Sequence, residues 1–270
     1  MGKTFKFWIL PLLISLGFFI VVRPIFAQLV QGQASLADYL TSNNVEVGSE
    51  EEGGYRQIYY VWDGNKVFIT NTSYTNSDPV TEKENIVWMA QIDDGWRIFL
   101  YNILSGSTVQ LTQTGMNVNP KISAGSIVWE TQDDKGVWQI DLFDGKSVNQ
   151  ITSGDMSVNV DIEGNFIAYG RKDITEWRGS LYSIKMREEI DITTGEKANS
   201  PKLKDGKILL NNGSIEFPLK VEDIFTLDLA PLTNNQIETV TSEQIMDELQ
   251  ITNATNSAVI EESTPSSAVQ

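Results

Sequence analysis

The chain has 270 residues, of which 41% are hydrophobic, so it can bury a sizeable core in one or two domains. It contains no cysteine and no histidine, which excludes a disulfide-stapled scaffold and a Ser-His-Asp or Cys-His catalytic site. The formal net charge of −16 disfavours nucleic acid and anionic membranes as partners and favours cationic partners or plain solubility.

The N-terminus has the composition of an export signal. Lys3 and Lys6 give a basic start, and an apolar run follows over residues 7–22. This run is longer than most signal cores, which have about 7–15 residues, and shorter than the roughly 20 of a membrane-spanning helix. Ala27 is small enough to precede a cleavage site, so we expect the mature chain to begin at Gln28, with an uncleaved anchor as the alternative. The sequence therefore predicts an extracytoplasmic protein that is periplasmic, cell-surface or secreted, with no membrane contact beyond this segment.

Three sequence markers recur with a step of about 41 residues and keep one phase over four units. They are an aromatic residue that ends an apolar run (Trp88, Trp129, Tyr169), a threonine after an aliphatic residue (Thr70, Thr112, Thr152, Thr193) and a proline or valine that follows that threonine (Pro79, Pro120, Val160, Pro201). Three markers in phase indicate a true internal repeat.

The segments between the markers have strand composition. Residues 96–101 and 137–142 are rich in aromatic and β-branched side chains, and Asp-Gly turns such as Asp144-Gly145 separate such segments. Each unit is therefore expected to form four short antiparallel strands. Four-stranded units of about 40–50 residues are typical of propeller blades, so the sequence predicts an all-β protein, a β-propeller.

The repeat also resembles a known family. The pattern Asn119-Pro120-x-Ile122-Ser123, followed by Ile127-Val128-Trp129, Ile140-x-Leu142 and Ile151-Thr152, resembles the TolB-like (WD40-like) β-propeller repeat over roughly residues 55–215. The resemblance implies blade architecture, and blades of this kind serve both as binding platforms and as accessory domains of enzymes. The Ser-Pro-Asp-Gly turn of the family is replaced here by residues 123–126 and 163–165.

Complete units occupy about residues 79–112, 120–152 and 160–193, and a fourth begins at Pro201. Only two strands are evident before Pro79. The strand-like segment Val221 to Leu229 is expected to complete this first unit, as is Val45 to Val47, which gives five blades closed by strands from both ends; four blades or an open stack are the alternatives. The predicted organisation is a signal peptide or anchor at 1–27, a linker at 28–44, the propeller at 45–230 and an acidic, Ser/Thr-rich, disordered tail at 231–270.

Tryptophans are the candidate binding residues. Trp88 and Trp129 end the most apolar strands and are predicted to be core between blades. Trp96, Trp138 and Trp177 begin the next strand near a turn, and they are the candidate ligand-surface aromatics. The alternative interpretation of these three tryptophans is that they only pack in the core.

No catalytic residue, metal ligand or cofactor-binding motif is predicted. The acidic turns at 93–94 and 133–134 admit calcium, but hairpin turns select Asp and Gly for backbone reasons alone. The sequence favours a non-enzymatic binding or scaffolding module of the cell envelope that contacts a protein or peptide through a propeller face. The alternative is a carbohydrate-binding or carbohydrate-active propeller that uses Trp and Asp/Glu.

Overall fold

The computed structural model describes residues 36–211, 213, 215–225 and 232–233. The predicted signal peptide or anchor, residues 28–35 of the predicted linker and the predicted tail beyond 233 lie outside the described residues. No helix in the described ranges is long and apolar enough to cross a membrane. The strands are β1 (Glu46–Glu52), β2 (Tyr55–Trp62), β3 (Asn65–Phe68), β4 (Asn76–Glu82), β5 (Asn85–Ile92), β6 (Gly95–Asn102), β7 (Ser107–Gln110), β8 (Asn117–Ser123), β9 (Ser126–Gln132), β10 (Trp138–Phe143), β11 (Val148–Gln150), β12 (Met156–Glu163), β13 (Phe166–Lys172), β14 (Trp177–Ser183), β15 (Glu188–Thr194), β16 (Lys202–Lys204), β17 (Lys207–Leu210), β18 (Ile215–Lys220) and β19 (Leu232–Thr233).

In the part of the chain that the structure describes, the strands form five sheets that follow one another in sequence, and each sheet is one propeller blade. Blades 2, 3 and 4 consist of β4–β7, β8–β11 and β12–β15, so each has the four antiparallel strands that the sequence predicted, lettered a to d in chain order. Blade 1 is β1–β3 and blade 5 is β16–β18. The inner strands β4, β8, β12 and β16 contact one another in succession. The all-β blade architecture implied by the TolB-like resemblance is therefore confirmed.

The threonine marker caps strand c of its own blade. At Thr70, Thr112 and Thr152 the hydroxyl oxygen accepts a buried backbone N–H of strand c, at a point where strand d has ended two residues earlier, so this N–H has a partner. The pairs are Ile58 N–H with Thr70 (2.8 Å), Ile98 N–H with Thr112 (2.9 Å) and Ile140 N–H with Thr152 (2.8 Å). Because Thr70 follows β3 as Thr112 follows β7, blade 1 holds strands b, c and d.

The aromatic marker fills the space between blades. Trp88 and Trp129 are 2% and 0% exposed, which confirms the prediction that they are core. The indole Nε1 of Trp129 donates to Asn117 Oδ1 at 3.2 Å, and Asn117 Nδ2 donates to the carbonyl oxygen of Trp96 in the preceding blade at 3.0 Å. Asn76 stands in the same relation to Trp88. Each Trp–Asn pair thus links two blades through buried hydrogen bonds.

Blade 4 departs from this pattern. Tyr169 and Ser157 occupy the positions of the Trp–Asn pair, and both are fully buried. The Ser157 hydroxyl has no hydrogen-bond partner among the described residues, and the Tyr169 hydroxyl interacts with the Glu189 carboxyl of its own blade. Burial raises the pKa of the Tyr169 hydroxyl, and the neighbouring Glu189 carboxyl raises it further. The junction of blades 3 and 4 therefore lacks the Trp–Asn link that joins blades 2 and 3.

A glutamate of one blade clamps the a–b hairpin of the next. The Glu82 carboxylate accepts the N–H groups of Ala124 and Gly125, at 2.6 and 2.8 Å. These two turn residues have φ values of 50° and 77°, the backbone that a type I′ hairpin requires. The turn that replaces the family's Ser-Pro-Asp-Gly is thus held in place by the preceding blade. Glu163 makes the equivalent pair of hydrogen bonds to the hairpin of blade 5.

The prediction that strands from both ends complete blade 1 agrees with the structure at the N-terminal end and disagrees with it at Val221. The strand predicted at Val45 to Val47 is confirmed, because β1 begins there and pairs with β2 along its whole length. The strand predicted from Val221 is wrong in its described part: Val221–Ile224 is a short helix. Val221, Ile224 and Phe225 follow helical spacing, and they pack together against the apolar cluster of blades 4 and 5. Residues 226–230 lie outside the described part, and β19 then pairs in parallel with β15 at the edge of blade 4.

Asp141 gives the propeller a pH-dependent stability. It pairs with Trp129 across strands b and c of blade 3, and burial raises its pKa from 3.8 to about 6. Because the pKa is higher in the folded state than in the unfolded state, the folded protein binds this proton more tightly. The contribution of Asp141 to stability therefore falls as the pH rises from about 4 through 6.

We expect Asp141→Asn to increase the free energy of unfolding by about 1–3 kcal/mol at pH 7 and to change it little at pH 4. Chemical denaturation at the two pH values measures the difference. Asp134→Asn, in an exposed turn, is the control for the change in net charge. An effect of Asp141→Asn that is equal at both pH values would mean that the carboxyl is not held in its neutral form by burial.

Candidate functional site

Antiparallel strands bring two kinds of loop to the same end of every blade. The b–c hairpins and the d–a connections lie at one end, and the a–b and c–d hairpins lie at the other. We call the first end the b–c face. It includes the b–c hairpins around residues 93–94, 133–137 and 173–176 of blades 2, 3 and 4. All three candidate ligand-surface tryptophans lie at this face.

The structure places Trp96, Trp138 and Trp177 at equivalent positions on three consecutive blades. Each lies at the start of strand c and is half-buried, so part of each indole reaches solvent. The Lys172 ammonium lies 5.1 Å from the centre of the Trp177 ring, a cation–π arrangement. The three rings therefore lie on one face of the propeller. Their role as ligand contacts stays a prediction.

Polar residues in strained backbone lie nearer to the propeller axis. Asp78, Asn119 and Asn159 have φ values of 51°, 56° and 59°, and each sits in a β-bulge of the innermost strand of its blade. Asp and Asn tolerate this left-handed conformation better than other residues that have a side chain. Repeated bulges at one position are designed features that aim a side chain. Here the bulges place one polar residue on the innermost strand of each of blades 2, 3 and 4.

The buried Glu130 connects two of these bulges. Its Oε1 accepts a hydrogen bond from Asn119 Nδ2 at 2.7 Å and another from the backbone N–H of Asn159 at 2.9 Å. The side chain is 8% exposed. A carboxylate with amide donors from two blades fixes the relative position of blades 3 and 4 at the axis. Sequence analysis missed this residue, although it is the acidic residue directly after the Trp129 marker.

Charges of both signs surround the axis. Burial lowers the pKa of Lys121, and so does the positive charge of Lys202 on blade 5, whereas Asp161 and Asp78 act in the opposite direction. These four residues come from four different blades. The axis therefore presents a polar surface of mixed charge, unlike the net acidic chain as a whole.

The hairpin beside Trp177 is fixed by ion pairs. Arg178 contacts Asp173 at 2.7 Å and Asp191 at 3.1 Å. Asp173 Oδ1 also accepts hydrogen bonds from the Thr175 hydroxyl and from two backbone N–H groups of the hairpin, and these lower the pKa of its carboxyl. Both carboxylate oxygens of Asp173 therefore already have partners within the hairpin or on Arg178. No group of three or more acidic side chains that could hold a metal ion is present in the described part of the chain.

Comparison with known proteins gives structural neighbours and no sequence relatives. No family model matches the chain, and no curated protein matches it. Solved structures similar to it include TolB from Acinetobacter baumannii (15% identity, 61% of this chain and 48% of that chain, TM-score 0.44). Others are an oligogalacturonate lyase from Vibrio parahaemolyticus (10% identity, 62% and 60%, TM-score 0.45) and an acylaminoacyl peptidase from Pyrococcus horikoshii (19% identity, 54% and 25%, TM-score 0.44).

The chain spans less than two thirds of the length of each of these three proteins. TolB structures are among the neighbours, as the sequence resemblance predicted, and two of the three proteins above are enzymes by name. At these identities and TM-scores the likenesses establish neither an activity nor a partner, and the fold rests on the five sheets themselves.

Proposed function

We propose that the protein is an exported, non-enzymatic binding or scaffolding module of the cell envelope that contacts a protein or peptide through the b–c face. One observation supports this: blades 2, 3 and 4 each carry a half-buried tryptophan at this face and a polar bulge residue at the axis. Aromatic anchors with fixed polar groups are typical of protein interaction surfaces, where tryptophan often contributes most of the binding energy.

The chemistry of the face favours binding over catalysis. The chain has no histidine or cysteine to act as base or nucleophile. Three acidic side chains of the face are hydrogen-bonded to backbone groups: Asp133 and Asp173 each accept N–H groups of their own hairpin, and Glu130 accepts that of Asn159. Carboxylates so engaged stabilise the loops, which suits a rigid recognition surface.

Carbohydrate binding is the second candidate. It is favoured by the partly exposed indoles, because sugar rings stack on aromatic faces, and by the charged groups around Trp177. In this case a soluble oligosaccharide, rather than a protein, is the ligand of the b–c face.

A photo-crosslinking experiment tests the proposal. A photoreactive amino acid replaces Trp138 at the b–c face in one variant and the exposed Lys146, in the c–d hairpin at the opposite end, in the control. Incubated with envelope extract of the native host, the Trp138 variant is expected to form a discrete protein adduct that the Lys146 variant does not form. Equal adducts at both positions, or none at Trp138, would overturn the proposal.

The same protein distinguishes the second candidate. When the unmodified chain is titrated with a panel of oligosaccharides, we expect its tryptophan fluorescence to show no saturable change. A saturable change that disappears in the Trp138→Ala variant would replace the protein-binding proposal by carbohydrate binding.

A further inference from the structure

Blade 1 differs from blades 2, 3 and 4 at its inner edge. In those blades strand b is flanked by strands a and c, whereas in blade 1 strand b is β1 and no described residue pairs with its other edge. In chain order, residues 36–40 stand where strand a is expected, and they form a helix, α1. Within the described ranges, the backbone donors and acceptors along the inner edge of β1 are therefore unpaired, and such an edge is the feature on which an additional strand can form.

Helix α1 covers the end of blade 1 rather than this edge. Tyr39 packs edge-to-face on Trp62, the last residue of β2, with ring centres 5.2 Å apart. Asn44, just after the helix, accepts the backbone N–H of Lys83 in the a–b hairpin of blade 2 at 2.7 Å. Both contacts lie at the end opposite to the b–c face. The helix and its contacts therefore leave the length of β1 open.

The edge carries a row of acidic side chains. Glu46, Glu50 and Glu52 lie on one face of the sheet along β1, and all three are exposed. Glu50 forms an ion pair with Lys66 of β3, whereas no described residue forms an ion pair with Glu46 or Glu52. Gly48 lies between them, where blade 2 has Trp88, and the Tyr59 ring lies over the glycine so closely that an added Cβ would meet its hydroxyl at 2.6 Å. Blade 1 thus replaces the aromatic marker with a glycine and offers an acidic face beside the free edge.

The charge of the chain itself disfavours its own tail as the missing strand. Residues 234–270 contain six Asp or Glu and no Lys or Arg, so they would place acidic residues beside the glutamates of β1. Residues 226–231 lie between Phe225, just after the helix Val221–Ile224, and β19, which is held at blade 4, and six residues span at most about 20 Å. The β1 edge of a second copy is equally acidic. A strand with lysine or arginine side chains has the complementary charge.

We propose that the inner edge of β1 is a β-augmentation site for an extended, lysine- or arginine-bearing segment of a partner protein. The segment pairs with β1 through main-chain hydrogen bonds and supplies blade 1 with an innermost strand. Its basic side chains lie against Glu46 and Glu52, the two glutamates of this face that do not pair with Lys66. This goes beyond the proposed function and does not rest on it, because it uses a different surface from the b–c face.

The test uses a fluorescent peptide of about eight alternating lysine and valine residues, together with the same peptide N-methylated at alternate residues. The methylated peptide keeps the charge but cannot form the main-chain ladder. The full chain is compared with Glu46→Lys/Glu52→Lys and with a control of equal charge change at the exposed c–d turns of blades 3 and 4, Asp144→Lys/Glu188→Lys, which lie at the end opposite to the b–c face.

We expect the edge variant and the methylated peptide each to weaken binding at least about tenfold, and the turn variant to change it less than about twofold. Bound peptide is expected to slow amide exchange in β1. Equal loss in the two variants, or equal binding of the methylated peptide, would show non-specific attraction and overturn the proposal. So would β1 amides that are already protected in the free protein, since another strand would then occupy the edge. Because both variants leave the three tryptophans in place, failure here is separate from failure of the b–c face.

Discussion

Replacing Trp129 with alanine is expected to lower the free energy of unfolding by about 3–5 kcal/mol. Its side chain is completely buried and packs with Val87, Ile98 and Ile127 between blades 2 and 3. The alanine would leave a cavity between two sheets whose backbones are fixed by their own hydrogen-bond ladders. It would also remove the indole donor of Asn117. The midpoint of chemical denaturation measures the loss.

The matched control is Trp138→Ala, the same substitution at the half-buried position on the b–c face. Its cost is expected to be less than about 2 kcal/mol, because part of the ring is already in water. If the two variants have the same midpoint, Trp129 is not the core residue between blades, and the assignment of the aromatic marker is wrong.

Replacing Asn117 with alanine is expected to cost about 2–4 kcal/mol, a large effect for a small polar side chain. Asn117 is 2% exposed, and its amide donates to the carbonyl oxygens of Trp96 at 3.0 Å and Thr114 at 2.8 Å. Its Oδ1 accepts from Trp129 Nε1 and from the Thr131 hydroxyl. Without this amide, several buried groups at the junction of blades 2 and 3 lose a partner, and the denaturation midpoint should fall accordingly.

Asn149→Ala is the control for this prediction, because Asn149 is exposed in β11 and its side-chain hydrogen bonds are to Ser147. We expect a change within about 0.5 kcal/mol. Asn117→Ala should also cost less in a Trp129→Phe background, where no indole N–H remains to be satisfied. Costs that are additive in the double variant would mean that the Trp–Asn hydrogen bond contributes nothing to stability.

The repeat of about 41 residues predicted the blades because each blade is formed by one continuous unit of the sequence. The markers at Trp129 and Thr152 lie at fixed distances from the ends of their strands. In the structure Trp129 packs between two sheets, and the Thr152 hydroxyl accepts an N–H of strand c. The error at Val221 has a similar local origin. The apolar composition of this segment predicts a strand, although the spacing of Val221, Ile224 and Phe225 suits a helix.

The residues at the axis were not predictable in this way. Glu130 and Asn159 meet across about 30 positions of sequence, and the positive φ of the bulge residues follows from how strand a bends. Neither feature leaves a signal in composition or periodicity. The three candidate tryptophans were identified because they share a phase in the repeat, and a shared phase places residues at the same end of successive blades.

Amide hydrogen exchange of the free protein tests the central claim most directly. The account holds that the chain is a stack of five sheets in which blades 2, 3 and 4 have a central strand b, whereas blade 1 begins at strand b. Amides of β5, β9 and β13 lie between two strands and should exchange only through global unfolding. Those amides of β1 that point away from β2 should exchange rapidly. Protection along the whole of β1 equal to that of β5, β9 and β13 would contradict the account.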